Sequence, residues 1–249
     1  MITADEVRRL IVAHDAARPR SRQTAIGPSD LSSPCDRRLG YKLLGVPRVV
    51  PSDVNLPAWV GTGIHRQMES ALQGDPDWLT ETPIAIPVTD EVTLAGSCDA
   101  YHRPTSTILD WKSVGPSALA KYARETPANY RAQVGLYGLG MVLAGHVVTH
   151  VGIGYIPRNG HLSDIHVDVW PWDQGLVEAS LRRYEALITA ASIGEAVLPL
   201  LPTASDCRFC GWWNPNAWVD GLGCGGHETP GVVPVEQNTT QPEKVTTQP

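Results

Sequence analysis

The sequence predicts an α/β protein in which a mixed β-sheet is flanked by helices. Two observations support this fold class: three strand-like segments follow one another between predicted helices, and two more strands follow a long apolar helix. With 249 residues and 42% hydrophobic content, the chain can bury a core of its own. We expect one domain over residues 1–227 and a disordered tail over residues 228–249, which are rich in Pro, Thr and Gln.

The first half of the chain contains two predicted helices and three predicted strands. Thr3 and Glu6 have the spacing of a capping box, which predicts a helix over about residues 4–18. A second helix is predicted over residues 60–73, with a Gly-Thr-Gly sequence at its entry. The pattern then changes to that of strands bounded by turn residues, over residues 83–89, 92–101 and 106–113.

The second half of the chain returns to helices before the sheet is completed. Two helices, two strands and a last helix are predicted over residues 117–125, 128–145, 146–157, 161–170 and 173–193. The many small and apolar residues of the second of these helices predict that it is largely buried. The last helix has apolar side chains at helical spacing and is expected to pack against the sheet.

Two acidic residues and a lysine form the central motif. Asp99 lies at the end of one predicted strand, and Asp110 and Lys112 lie two residues apart in the next strand. Side chains two apart on a strand point to the same face, and a hairpin would bring Asp99 across from them. Such a group suits phosphodiester hydrolysis, because carboxylates bind a hard divalent cation and a lysine can orient water or offset charge. The alternative is a surface ion pair between Asp110 and Lys112.

Further motifs occur in a fixed order around this group. His65 ends the sequence Gly-Thr-Gly-Ile-His, Asp99 ends Gly-x-x-Asp, and Gln133 and Tyr137 lie four residues apart on a predicted helix, where they share a face. With Asp-x-Lys at residues 110–112, the series resembles the PD-(D/E)XK nuclease superfamily. The likeness is to its RecB-like branch, which includes the CRISPR-associated Cas-four exonucleases and related phage proteins.

The resemblance covers about residues 28–226 and implies a restriction-endonuclease-like nuclease core at about residues 58–195. It implies that Mg²⁺ or Mn²⁺ is bound by His65, Asp99 and Asp110, with the backbone carbonyl of Trp111 as a further ligand. Asp110 is an aspartate where many relatives have glutamate, which is longer, so the distance to the metal can differ.

The resemblance also assigns residues that act on the substrate or support the site. Lys112 is expected to be the catalytic lysine. Gln133 and Tyr137 are expected to help position the DNA strand and the active site, although simple packing is the alternative. Glu81 could approach the site from the preceding strand, but we expect it to be a solvated charge at the sheet edge.

Four of the five cysteines form a second motif. Cys35 lies near the start of the chain, whereas Cys207, Cys210 and Cys224 lie near its end, so a shared centre would join the two ends of the domain. The absence of an export signal argues against a disulfide framework and favours metal or cluster ligation. Four thiolates can hold either zinc or an iron–sulfur cluster, and their chemistry leaves both open. Cys98 is expected to be a small buried residue.

The resemblance favours the cluster. One cysteine before the nuclease motifs and three after them is the arrangement of the iron–sulfur members of this family. It implies a [4Fe-4S] centre that clips an N- and C-terminal lobe together, at about residues 28–50 and 200–227. Arg37 and Arg38, which follow Cys35, are expected to contact the DNA backbone there.

Charge and hydropathy restrict the partners. The net charge of −6 and the sequence pI of about 5.7 are not those of a general nucleic-acid binder, but residues 1–48 contain nine Arg or Lys against five acids. The charged N-terminus does not have the pattern of a signal peptide, and no apolar run of eighteen residues occurs. We therefore expect a cytoplasmic protein without a membrane partner.

The function predicted from these motifs is a metal-dependent DNA exonuclease that acts at DNA ends or on single strands. The resemblance implies a role in recombination, repair or CRISPR-type spacer processing, with a helicase or other partner, and it allows an oligomer. One alternative is a non-catalytic DNA-binding protein with a structural Cys₄ zinc or iron–sulfur centre. Another is a sequence-specific endonuclease on the same core, for which so short a chain leaves no additional recognition domain.

Overall fold

Five strands form one mixed sheet in the computed structural model, which describes residues 2–17, 25–49, 56–204, 207 and 210–227. The strands, in sheet order, are β1 (Trp78–Pro87), β2 (Thr93–His102), β3 (Thr107–Val114), β4 (His150–Pro157) and β5 (His166–Pro171). Neighbours are antiparallel except for β3 and β4, which are parallel. The predicted fold class is confirmed, whereas the predicted tail lies outside the described residues.

The helices lie on both faces of the sheet and at one end of it. They are α1 (Ala4–Ala17), α2 (Pro28–Leu31), α3 (Asp36–Leu43), α4 (Leu56–Leu72), α5 (Pro116–Tyr122), α6 (Ala128–Leu143), α7 (Gln174–Ala191) and α8 (Ala217–Asp220). Two short 3₁₀ helices span Leu162–Asp164 and Glu195–Leu200. Among the residues described, no helix combines the length and the apolar character needed to cross a bilayer.

The parallel pairing of β3 with β4 requires a crossover, which α5 and α6 provide. α6 crosses one face of the sheet, where its residues Val134 and Met141 join the main core with Tyr101 and Ile108. The helix approaches β1 closely at Gly140, because a Cβ atom there would lie 2.6 Å from the Cβ of Ile84. α6 is therefore buried, as its composition predicts.

The opposite face of the sheet is covered by α4. Leu109 and Trp111 of β3 form a second, smaller core there, against which Met68 and Leu72 of α4 pack. Alternation along β3 sends Ile108 and Asp110 to the α6 face and Leu109 and Trp111 to the α4 face. The two helices consequently bring side chains to the same part of β3 from opposite sides.

The N-terminal and C-terminal segments of the domain pack together. Arg183 of α7 donates from its Nε to Asp36 Oδ1 at 2.7 Å. Its guanidinium also donates to the backbone carbonyls of Leu31 and Ser33. Tyr41 stacks on Trp212 with ring centroids 5.7 Å apart, and its hydroxyl donates to the Gly223 carbonyl at 2.6 Å. Residues 28–49 and 200–227 are thus in direct contact, although they lie far apart in the sequence.

Candidate functional site

The candidate site lies where β2 and β3 separate. Their ladder contains three pairs and ends at Ala100 and Leu109, while β2 continues along β1 and β3 continues along β4. Beyond this point the backbone N–H of Trp111 donates to the Asp99 carboxylate at 2.9 Å. The Asp99 carboxylate therefore accepts the hydrogen bond that a backbone carbonyl of β2 would accept if the ladder continued. A cleft opens between the two strands at this point.

His65 of α4 reaches this cleft from one face of the sheet. Its Nδ1 lies 3.2 Å from Asp99 Oδ2, the same oxygen that accepts the hydrogen bond from Trp111. Burial lowers the pKa of His65, but the hydrogen bond and the negative charge of Asp99 outweigh it, so that the pKa is raised overall. The predicted proximity of His65 and Asp99 is present in the structure.

Asp110, Lys112, Gln133 and Tyr137 form a buried polar network on the α6 side. Lys112 Nζ lies 2.6 Å from Asp110 Oδ2 and donates to Gln133 Oε1 at 3.0 Å. Gln133 Nε2 in turn donates to Asp110 Oδ1 at 3.0 Å and to the Tyr137 hydroxyl oxygen at 2.9 Å. The amide thus fixes both members of the Asp110–Lys112 pair, and Lys112 also lies 4.9 Å from the ring centroid of Tyr130.

The electrostatics of the cleft favour a bound cation. The pKa of Asp110 is raised to about 6, because burial and the charge of Asp99 together outweigh the opposing effect of Lys112. Asp110 is only 1% exposed and Asp99 only 7%. Two buried carboxylates face one ammonium group, so an excess of negative charge remains that would attract a divalent ion.

Glu81 also belongs to the cleft, although the sequence favours a solvated charge at the sheet edge. Its neighbours Thr80 and Thr82 pair with Ala100 and Cys98, so Glu81 lies level with Asp99 without pairing to it, and its φ of 43° is in the left-handed region. Ser97 donates to Glu81 Oε2 at 2.8 Å. Single ligand atoms of Glu81, His65 and Asp99 all lie within 4.8 Å of one another, a grouping that could hold a metal ion.

The structure therefore divides the predicted metal ligands into two groups. His65 and Asp99 lie with Glu81, whereas Asp110 is directed to Lys112 and Gln133. The Trp111 side chain is buried in the smaller core. The sequence predicted that the first strand begins at residue 83, whereas β1 begins five residues earlier and includes Glu81. The correct register of β1 and β2 would have placed Glu81 level with Asp99.

The four cysteines of the second motif lie around one cavity of about 500 Å³. Backbone N–H groups point at two of the sulfurs: Arg38 donates to Cys35 Sγ at 3.4 Å, and Gly226 donates to Cys224 Sγ at 3.4 Å. Burial raises the pKa values of the Cys207 and Cys210 thiols. Cys98 is fully buried, as predicted, and belongs to the main core rather than to this cavity.

The two arginines beside Cys35 have different surroundings. Arg37 is only 7% exposed, donates to the Pro199 carbonyl at 2.7 Å and points another nitrogen at Cys224 Sγ, 3.7 Å away. This burial argues against the predicted contact of Arg37 with a DNA backbone, because the guanidinium is already bonded inside the lobe. Arg38 is exposed and lines the cysteine cavity.

Comparison with solved structures places the fold among known proteins. The structure of the protein SSO0001 aligns with 92% of this chain and 99% of its own chain, with a TM-score of 0.57 and 18% sequence identity. An alkaline exonuclease from Laribacter hongkongensis, LHK-Exo, is 9% identical over 73% of this chain and 93% of its own, with a TM-score of 0.52. LHK-Exo in complex with dAMP is 11% identical over 72% of this chain and 93% of its own, with a TM-score of 0.51.

These likenesses define the fold. The mixed sheet with its flanking helices is shared with an alkaline exonuclease over nearly the whole length of that protein. No protein-family model matches the chain, and no curated protein matches it in sequence. The function of the cleft is therefore inferred from the chemistry of its own residues.

Proposed function

We propose that this chain is a metal-dependent DNA nuclease that hydrolyses phosphodiester bonds at DNA ends or in single strands. The observation that carries the proposal is the buried Asp110–Lys112–Gln133 network beside the His65–Asp99 pair, at the point where β2 and β3 separate. A surface ion pair would not require a buried carboxylate, a buried amide and a histidine to converge. The fold shared with an alkaline exonuclease supports the same function.

The proposed ligands of a Mg²⁺ or Mn²⁺ ion are His65, Asp99 and Asp110, with the Trp111 carbonyl as a further ligand. Imidazole nitrogen and carboxylate oxygen suit Mn²⁺ well, and carboxylate oxygen suits Mg²⁺. A bound ion would polarise a phosphate oxygen and make water a better nucleophile at neutral pH. The buried excess of negative charge is the feature of this chain that fits such an ion.

The proposed role of Lys112 is to bring a positive charge to the reacting phosphate. Its ammonium group donates to Gln133 and forms an ion pair with Asp110, and its three donors leave capacity for contact with water or a phosphate oxygen. There it would orient the attacking water or offset the charge that develops on the phosphate oxygens. Gln133 holds Lys112 in place, and Tyr137 fixes the other end of the amide.

DNA is the proposed substrate. LHK-Exo has been crystallised with dAMP, a deoxynucleoside monophosphate that is the product expected from exonuclease action on DNA. The pathway, whether recombination, repair or CRISPR-type spacer processing, and a helicase partner or an oligomer remain predictions from the sequence resemblance.

The cysteine cavity is the proposed site of a structural [4Fe-4S] cluster held by Cys35, Cys207, Cys210 and Cys224. All four line one cavity, and backbone N–H donors directed at the sulfurs of Cys35 and Cys224 favour the thiolate form of these two, which a cluster needs. The cluster would cross-link the two ends of the domain. Arg38 is the remaining candidate for contact with a DNA backbone at the rim of this cavity.

The experiment that tests the nuclease proposal compares two DNA substrates in the presence of Mg²⁺ or Mn²⁺. End-labelled linear single-stranded DNA should be degraded, whereas circular single-stranded DNA of the same composition should remain intact. Cleavage of the circle would identify an endonuclease instead. If neither DNA is cut although the protein binds it, the non-catalytic DNA-binding alternative is correct.

A further inference from the structure

We propose that Glu81 is an additional protein ligand of the divalent ion, beside His65 and Asp99. This inference rests on the proposed function, because it concerns the metal of the same cleft. It goes beyond the motif residues, which lie on β2, β3 and two helices, by adding a ligand from β1. Glu81 lies level with Asp99, between Thr80 and Thr82, which pair with Ala100 and Cys98 of β2.

The first argument is geometric. One ligand atom each from Glu81, His65 and Asp99 can be chosen so that all three lie within 4.8 Å of one another, which is the spacing of donors around one ion. Ser97, the hydrogen-bond partner of Glu81, uses only one of the two carboxylate oxygens. Asp110, in contrast, already has one oxygen at Lys112 and the other at Gln133. Glu81 is therefore at least as well placed as Asp110 to complete a set with His65 and Asp99.

The second argument is electrostatic. Glu81 brings a third carboxylate to a cleft that already contains Asp99 and Asp110. The groups that face these carboxylates are the ammonium group of Lys112, beside Asp110, and the imidazole of His65, beside Asp99. Like charges at this separation repel one another unless a cation lies between them. A residue with only a structural role as hydrogen-bond acceptor for Ser97 would not need the negative charge.

The third argument concerns the backbone. A φ of 43° is unfavourable for glutamate and would be easy for glycine. Residues held in such conformations are concentrated at functional sites, where the surrounding structure compensates for the strain. The flanking residues Thr80 and Thr82 keep their regular pairing with β2, so the ladder is interrupted only where Glu81 and Asp99 lie level with each other.

The test measures Mn²⁺ binding to the metal-free full chain by isothermal titration calorimetry, without DNA. Glu81→Gln keeps the size of the side chain and its hydrogen-bonding capacity but removes the charge. We expect Mn²⁺ affinity to fall by about tenfold or more, since affinity for hard cations follows the charge and number of the ligands. The matched control is Glu91→Gln in the exposed turn between β1 and β2, which should bind Mn²⁺ as the wild type does.

A second variant separates ligation from folding. Glu81→Gly relieves the left-handed backbone, so the metal-free variant should melt no lower than the wild type, and its melting temperature should no longer rise on addition of Mn²⁺. Wild-type affinity in Glu81→Gln, or no Mn²⁺ binding by the wild type, would overturn the proposal. Binding that depends on Glu81 in a protein that cuts no DNA would uphold this proposal and contradict the nuclease function alone.

Discussion

Lys112 owes its position to two neighbours rather than to the strand alone. Asp110 attracts its ammonium group, and Gln133 accepts a hydrogen bond from it, so the flexible side chain is held toward the cleft. Tyr130 lies beneath the same nitrogen at 4.9 Å from its ring centroid. The lysine and the amide that holds it can therefore be tested separately by single substitutions.

Replacing Lys112 by methionine removes the charge and keeps the length of the side chain. We expect Lys112→Met to lower the rate of DNA cleavage by about 100-fold or more, the effect of removing one preorganised donor from a transition state. The measurement is the single-turnover rate on labelled linear DNA. Lys121→Met on the exposed surface of α5 is the matched control and should retain wild-type activity; an equal loss in both variants would contradict a specific role for Lys112.

Replacing Gln133 by leucine removes the group that joins Asp110 to Lys112. We expect Gln133→Leu to lower the free energy of unfolding by about 1–3 kcal/mol, because buried polar partners lose their hydrogen bonds. Cleavage should also fall, but less than in Lys112→Met. The comparison is urea unfolding against Gln174→Leu, an exposed glutamine at the start of α7. Equal stability of the two variants would show that the network contributes little.

The shared face of each pair in this network could be predicted from local periodicity, whereas the choice of these residues came from the resemblance. Asp110 and Lys112 are two apart on a strand, and Gln133 and Tyr137 are four apart on a helix, so each pair shares a face whatever the rest of the fold. Glu81 could not be predicted in this way. Its position depends on the β1–β2 register and on a positive φ, and neither is visible in a pattern of apolar and polar residues.

The elements position the site through the separation of β2 from β3. α4 and α6 then cover opposite faces, so that His65 and Gln133 enter the same cleft from two sides. This arrangement requires α6 to lie close to the sheet, which it does where Gly140 meets Ile84. The packing of α6 is therefore open to a test at this contact.

A methyl group at position 140 should disturb this packing. We expect Gly140→Ala to lower the free energy of unfolding by about 1–3 kcal/mol, because the added Cβ would lie 2.6 Å from that of Ile84. Gly63→Ala in α4 is the control, since a Cβ there meets no atom within 4 Å. Alanine should stabilise that helix by about 0.5–1 kcal/mol. Denaturant unfolding measures both changes, and an unaffected Gly140→Ala would contradict the close approach.

The order and type of the five strands and the longer helices could be predicted, but the short helices α2, α3 and α8 and several boundaries could not. α4 begins at Leu56 rather than at residue 60, so the glycines expected at its entry lie within the helix. β1 begins at Trp78 rather than at residue 83, because its first half lacks a clear apolar alternation. In both cases tertiary packing extends an element beyond the segment in which its periodicity is recognisable.

At the scale of the whole molecule, the lobe formed by residues 28–49 and 200–227 joins the two ends of the domain. Hydrogen bonds already connect these segments, including one from Trp212 to the Val46 carbonyl at 2.8 Å. The convergence of Cys35 with the three later cysteines was predictable from ligand chemistry. The burial of Arg37 was not, since it depends on contacts with Pro199 and Cys224 that only the folded lobe creates.

The proposed cluster gives this lobe a measurable composition. Protein purified anaerobically should contain about four iron atoms and four acid-labile sulfides per chain, and Cys210→Ala should lose them and melt at a lower temperature. Cys98→Ala, which changes a buried cysteine outside the cavity, should keep the iron. Stoichiometric zinc without iron would contradict the cluster, and full iron content in Cys210→Ala would contradict its role as a ligand.

The most direct measurement of the central claim is the release of nucleotides from linear DNA as the divalent ion is removed and restored. The wild-type chain should release acid-soluble nucleotides in Mg²⁺ or Mn²⁺, stop when the ion is chelated, and resume when it is added back. Intact DNA in the presence of either ion, or release that continues under chelation, would contradict a nuclease built on the carboxylates and lysine of this cleft.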